Sequence, residues 1–311
     1  MIGRQSPPAR RARAGRTFSV SNRWTPAILL APSVIGLLVL TLYPLIDAVR
    51  LSLVNYDLLS ATANGRWTGL QNYISLFQNP DFWSALWVTL TYTVAAVALE
   101  LVIGFALALL LNQPIPGRSI ARTLIVSAMV MAPIVVGTAW RLMYNPSGGI
   151  FNYLLGLIGI QPQDFLGQAN YVIPSLVVTD VWEWSPLVML IILAGLQSLS
   201  VEVYEAARVD GANMLQTFLR LTLPLLKPAI AVALLFRTID CLRTFDIIFA
   251  MTGGGPGTAS QSLTILAYNT GLEFYHISSA SAIGIVMLVL ITVIAMVMMR
   301  LFGANLWRSR A

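Results

Sequence analysis

The chain has 311 residues, 57% hydrophobic and 10% charged, with a mean hydropathy of +0.75. Soluble domains carry roughly 25% charged residues, so composition sets aside a soluble globular protein. The formal net charge of +6 could suit nucleic acid, but the arginines cluster at the ends of apolar stretches, where they report membrane topology.

Residues 1–23 hold Arg4, Arg10, Arg11, Arg13, Arg16 and Arg23 and read as a disordered basic segment. They resemble the charged start of a signal peptide. The apolar stretch behind them is too long, however, and no Ala-x-Ala site follows, so an uncleaved anchor is expected. Residues 24–311 read as one membrane domain. Stretches of about 20 apolar residues recur six times, at 27–49, 86–111, 124–144, 172–196, 226–251 and 280–302.

The loop 57–83 carries Trp67, Tyr73, Phe77, Phe82 and Trp83, suited to an interfacial aromatic belt. Span two holds Glu100, and Arg118 with Arg122 follows it. Span four places Asp180 and Glu183 around Trp182, with Trp184 next. A carboxylate beside indole faces is a combination that sugars favour, because hydroxyls donate to the one and pyranose faces cover the other. Tryptophan near an outer boundary is more often belt than ligand, so the belt is the competing reading for the same residues.

Between spans four and five lies a polar insert, 200–223, longer than a connection needs to be. Ser200 can N-cap a first short helix, with Glu202 in its first turn. Asn213 and Gln216 have capping-box spacing for a second. Gly211 supplies the turn between them, and Pro224 ends the pattern. Met214, Phe218 and Leu221 share one face, with Leu215 and Leu219 beside it. This is the pattern of a docking element.

Span five carries Arg237, Asp240, Arg243 and Asp246 at steps of three. An intrahelical ladder can neutralise them, although the same step fans them around the helix. Charges at this depth are candidates for function. Structural pairing is expected for Arg237 and Asp240. Pairing and sugar contact stay equally open for Arg243 and Asp246. Beyond span five, 253–257 reads as a flexible turn and 263–274 as a short interfacial helix, with Tyr268 and Asn269 as possible cargo contacts. The arginines are dense before span one, between spans two and three, around the insert and after span six. The alternate loops hold little besides Arg66. Both termini and the insert are therefore expected in the cytoplasm.

Several chemistries find no support. The one lysine, Lys227, follows Leu226, so no Gly-Lys-Ser/Thr phosphate loop is present. His276 and Cys241 are each single in the chain and lie apart, which leaves neither a metal-ligand set nor a nucleophile pair. No Gly-x-Ser-x-Gly elbow occurs. No catalytic residue, metal site or cofactor of its own is expected.

Glu205-Ala206-Ala207, Asp210-Gly211-Ala212 and Leu223-Pro224, with Pro228 after them, resemble the EAA loop of ABC-importer permeases. Supporting segments run along nearly the whole chain: Pro32, Tyr43-Pro44 and Ser52; Gly69-Leu70-Gln71-Asn72-Tyr73; Phe82-Trp83; Thr244-Phe245-Asp246; and Thr252-Gly253-Gly254-Gly255-Pro256. As a set they resemble carbohydrate permeases of the maltose/glycerol-phosphate type. The resemblance implies an all-α, six-span type I importer bundle in the inner membrane. It also implies a second homologous permease, an ABC ATPase dimer that holds ATP and Mg, and an extracytoplasmic solute-binding protein. Glu205, Ala206, Ala207, Asp210, Gly211, Met214, Leu215 and Phe218 would then meet the ATPase. Trp182, Glu183, Trp184, Arg243, Asp246, Tyr268 and Asn269 are the candidate pathway residues. The cargo would be a sugar, or alternatively a polyol or glycerophosphodiester. A secondary transporter using the span-five charges, or a scaffold subunit, is the other class of reading.

Overall fold

The computed structural model describes residues 25–57 and 65–308, so the basic segment 1–23 lies outside them. Two compact units are distinguished, 1–47 and 48–311. The described part of the first is helix, the start of α1 (Thr25–Ser52), which contains Pro32 and Pro44. Proline inside a long apolar helix is tolerated in membrane spans.

The second unit opens with a small hairpin, β1 (Val54–Asn55) antiparallel to β2 (Arg66–Trp67). Asn72 on α2 (Gln71–Gln78) donates to the Ser52 and Val54 carbonyls at 2.8 and 2.9 Å, and Tyr73 Oη lies 2.7 Å from Ser52 Oγ. Those bonds explain why Asn-Tyr stands in the loop, and they give Tyr73 a task other than membrane belt. Helix α3 (Pro80–Asn112) begins six residues before the expected span. Asn79 accepts from the Asp81 amide at 2.9 Å and Pro80 occupies the first turn, a start signal that hydropathy does not register.

The third expected span is not straight. It consists of α4 (Arg118–Ser127), a 3-10 turn (Ala128–Val130) and α5 (Pro133–Met143), with a 99° bend. Pro133 forces Ala132 into extended backbone and so ends the first piece. After α6 (Ile150–Leu157) comes α7 (Ala169–Gln197), the best-buried long helix. It packs closely along α3. A Cβ on Gly104 would come 2.7 Å from Val188 Cβ and 2.9 Å from the Ser185 carbonyl oxygen, so only glycine permits this approach.

The insert supplies α8 (Val201–Val209), α9 (Met214–Thr217), a π segment (Phe218–Thr222) and α10 (Leu223–Leu225). A 64° bend leads into α11 (Lys227–Leu242). The expected fifth span breaks there: α11 stops at Leu242, and α12 (Asp246–Met251) restarts after Arg243–Phe245. Polar side chains serve the backbone freed by the break. Thr264 Oγ1 donates to the Thr244 carbonyl at 2.7 Å, and Thr244 Oγ1 to that of Asp240 at 3.3 Å. The glycine turn at 253–257 is tied rather than flexible, with Ser260 Oγ donating to the Gly255 carbonyl and bonded to Thr252 Oγ1 at 2.8 Å. Next, α13 (Leu263–Tyr268) and a π segment (Asn269–Glu273) lead to α14 (Ile277–Arg308). The 263–274 stretch is helical as expected, and its first turns pack into the protein's own core. Leu263 and Leu266 are buried in a core with Phe82, Ile283 and Met287, and Ile265 in another with Tyr92, Ile248 and Met251. Among the described residues, four helices are long and apolar enough to cross a membrane, and six spans result if each bent pair is counted as one.

Candidate functional site

Among the described residues, the insert and the break in span five each set charged side chains beside open space. Ser200 occupies the N-cap position of α8, but its side chain makes no capping bond, because this end is exposed and water can serve the first amides. The helix closes by the glycine route. Ala212 N–H donates to the Ala207 carbonyl at 2.9 Å and Gly211 N–H to that of Arg208 at 3.1 Å, with Gly211 at φ +74°. The capping box of α9 is complete: Gln216 N–H donates to Asn213 Oδ1 at 2.8 Å, and Asn213 N–H to Gln216 Oε1 at 3.0 Å.

The expected common face of Met214 and Phe218 is divided between two tasks. Phe218 turns inward, edge-on to Phe105 of α3 at 5.6 Å, and Tyr204 Oη bonds Thr222 Oγ1 at 3.1 Å. Met214 and Leu215 point outward, 88% and 65% exposed. Glu205, Ala206 and Asp210 are exposed, and Ala207 is half-buried. A cavity of about 720 Å³ lies between this surface and Leu109 and Asn112 at the end of α3. The outward face is thus apolar at its tip, acidic on its flank and anchored at its base.

The second place is the break in span five. A cavity of about 280 Å³ is lined by Asp180, Trp184, Asp240, Arg243, Phe245 and Asp246, among others. Behind it stands Arg237, 1% exposed. Its Nε and Nη2 reach the two oxygens of Glu100 at 2.6 and 2.7 Å, a bidentate fork across to α3. Nη2 also reaches Asp180 of α7 at 2.8 Å, and Nη1 reaches Asp240 at 2.5 Å. The Trp184 ring lies 4.8 Å from its Cζ, a cation–π contact between the guanidinium and the cavity. The ligand atoms of Glu100, Asp180 and Cys241 lie within 4.8 Å of one another. Nη2 of Arg237 bonds all three, so the guanidinium holds the place a cation would take.

The expected ladder forms in part. Arg237–Asp240 and Arg243–Asp240 pair, the latter at 3.2 Å. Arg243–Asp246 does not pair among the described residues, because the helix has ended between them. Of the expected pathway residues, Trp184, Arg243 and Asp246 line one cavity. Tyr268 meets it indirectly, against Phe245 at 5.2 Å, and Asn269 lies one position on, in the π segment. Trp182 and Glu183 do not join them. Successive helical positions diverge by about 100°, so Trp182 packs on Trp140 at 5.6 Å in a separate apolar groove. Glu183 is wholly buried. The lining also includes Asp180, Asp240, Thr244 and Phe245, which the expected pathway set did not contain; Thr244 and Phe245 become legible only once the chain break between α11 and α12 is known.

Residues 100–308 match the family described as binding-protein-dependent transport system inner membrane component. The chain is 39% identical over 309 residues to a probable ABC transporter permease protein of Sinorhizobium fredii, covering 99% of this chain and 98% of that one. It is 42% identical over 223 residues to the trehalose/maltose transport system permease protein of Thermococcus litoralis, covering 71% and 76%. Among solved structures it resembles a chain of a bacterial alginate ABC transporter in complex with an alginate pentasaccharide-bound periplasmic protein. There the TM-score is 0.77 at 25% identity, covering 88% of this chain and 92% of that one.

Proposed function

The chain belongs to the family of binding-protein-dependent transport system inner membrane components, and on that premise we propose that it is one of two permease subunits of an ATP-driven importer of uncharged sugars. It is a multi-pass protein of the inner membrane. The insert is its handle for a separate ATPase, and its outward face is the observation that carries the reading. Met214 and Leu215 present apolar surface that a folded chain normally buries, on a turn held by a glycine C-cap and a capping box. Glu205 on the flank supplies a charged contact. Arginine distribution favours both termini and the insert on the cytoplasmic side, where an ATPase works. A second permease completes the pathway, and an extracytoplasmic binding protein delivers cargo. ATP and Mg belong to the ATPase dimer.

Cargo class follows from the cavity's charge. Asp180, Asp240 and Asp246 line it against Arg243 alone, and carboxylates still outnumber guanidiniums when Glu100 and Arg237 behind it are counted. Such a cavity repels phosphate and carboxylate, while its carboxylates accept hydroxyl bonds and its aromatic rings cover sugar faces. The charge therefore favours a sugar or polyol over a glycerophosphodiester. Binding calorimetry on the partner binding protein tests this: a neutral saccharide should bind at least tenfold more tightly, and preference for the phosphodiester overturns the cargo assignment.

For the handle, Glu205→Ala and Gly211→Val in the complete complex should insert and assemble normally. They should uncouple ATP hydrolysis from uptake, since loss of a charge-assisted contact costs about 2–5 kcal/mol. Wild-type uptake in both variants would sink the docking role. A secondary transporter would need no such handle and would transport when reconstituted alone.

A further inference from the structure

Glu183 is fully buried on α7, yet neither of its carboxylate oxygens has a hydrogen-bond partner among the described residues. A buried carboxyl without a partner is expensive and calls for a reason. It stands within electrostatic reach of Asp180, Arg237, Asp240 and Asp246, at the rim of the cluster that holds Arg237. Three positions separate it from Asp180. It therefore lies about 4.5 Å further along α7, turned by about 60°, and nearer the insert.

Arg237 stands on α11, the helix that the insert enters through the 64° bend. A Cβ on Gly195 would meet Ala229 and Leu226 at 2.9 Å, while Asp180 meets Arg237. The two helices therefore run antiparallel side by side. A slip of α11 toward the insert by about one turn carries the guanidinium from the level of Asp180 to that of Glu183. One-turn ratchets of one element past another are an established form of switching.

We propose that Glu183 is the second seat of Arg237, a positioning residue that receives the guanidinium in the opposite-facing state of the transport cycle. This rests on the ATP-driven reading given above. Glu100 sits on α3, which the glycine-mediated contact locks to α7, so it stays within reach of the long arginine stem in both states. Asp180 then takes the unpartnered position that Glu183 holds here. The two states keep equal numbers of paired carboxylates, so the gap between them is small enough for a handle to tip. Without Glu183 the slip would leave the buried guanidinium one carboxylate short, held by Glu100 and Asp240 alone.

Spin labels at Gln197 of α7 and Val232 of α11, in the complete complex with its ATPase and second permease, read the slip. Cys241 is buried and leaves the labelling clean. Without nucleotide, Glu183→Leu, Glu183→Asp and wild type should share one distance distribution, and Glu183→Leu should unfold at or above the wild-type temperature. With ATP and vanadate, wild type and Glu183→Asp should move to a second population, while Glu183→Leu should stay at least tenfold depleted in it. A Glu183→Leu complex that reaches the second population like wild type overturns the exchange. So does a wild type that hydrolyses ATP with its distances unchanged. A wild-type complex that hydrolyses no ATP overturns the importer reading itself.

Discussion

Arg237 holds three helices together because an arginine offers five donors in a fixed plane, and no other residue type could serve Glu100, Asp180 and Asp240 at once. Its removal leaves buried carboxylates unpaired. Arg237→Leu should therefore destabilise the purified permease by about 3–5 kcal/mol, seen as a lowered unfolding temperature in detergent. Replacing Arg237, Glu100 and Asp180 together by leucine should recover most of that loss. If the single variant is as stable as wild type, the cluster is not structural. Glu100 and Arg237 were each legible in the sequence as charges at membrane depth, but their bond was not. They are 137 positions apart, and no spacing rule reaches across that distance.

At the scale of elements, close helix crossing is set by small residues. Gly104→Ala would push its new methyl into Val188 and the Ser185 carbonyl and should cost about 1–3 kcal/mol as overpacking. Gly284→Ala on α14 meets open space and should be neutral or stabilising by up to about 1 kcal/mol, since glycine is a poor helix residue. Equal unfolding temperatures for the two variants would contradict the crossing. The insert's turn could be read in advance because capping is local: Asn213, Gln216 and Gly211 lie within six positions of one another. The breaks in spans three and five could not, because a run of apolar residues looks the same straight or bent. Pro133 was visible but does not by itself distinguish a kink from a full reversal of direction.

For the whole molecule, the orientation is open to direct measurement. With Cys241 buried, single cysteines at Gln216 in the insert and Thr258 in the glycine loop should react with an impermeant maleimide from opposite sides of the membrane. The Gln216 variant should label only in inverted vesicles, and the reverse result would invert the topology. Length and hydropathy determined a helical membrane protein, and local capping a polar insert with a fixed turn, because partition into lipid and capping depend on stretches of neighbouring residues. The tertiary structure alone decided that Trp182, Glu183 and Trp184 face three environments, that Phe218 serves the chain's own packing, and that Arg237 is shared among α3, α7 and α11. Those outcomes depend on how helix faces meet, which the sequence of any one helix does not contain.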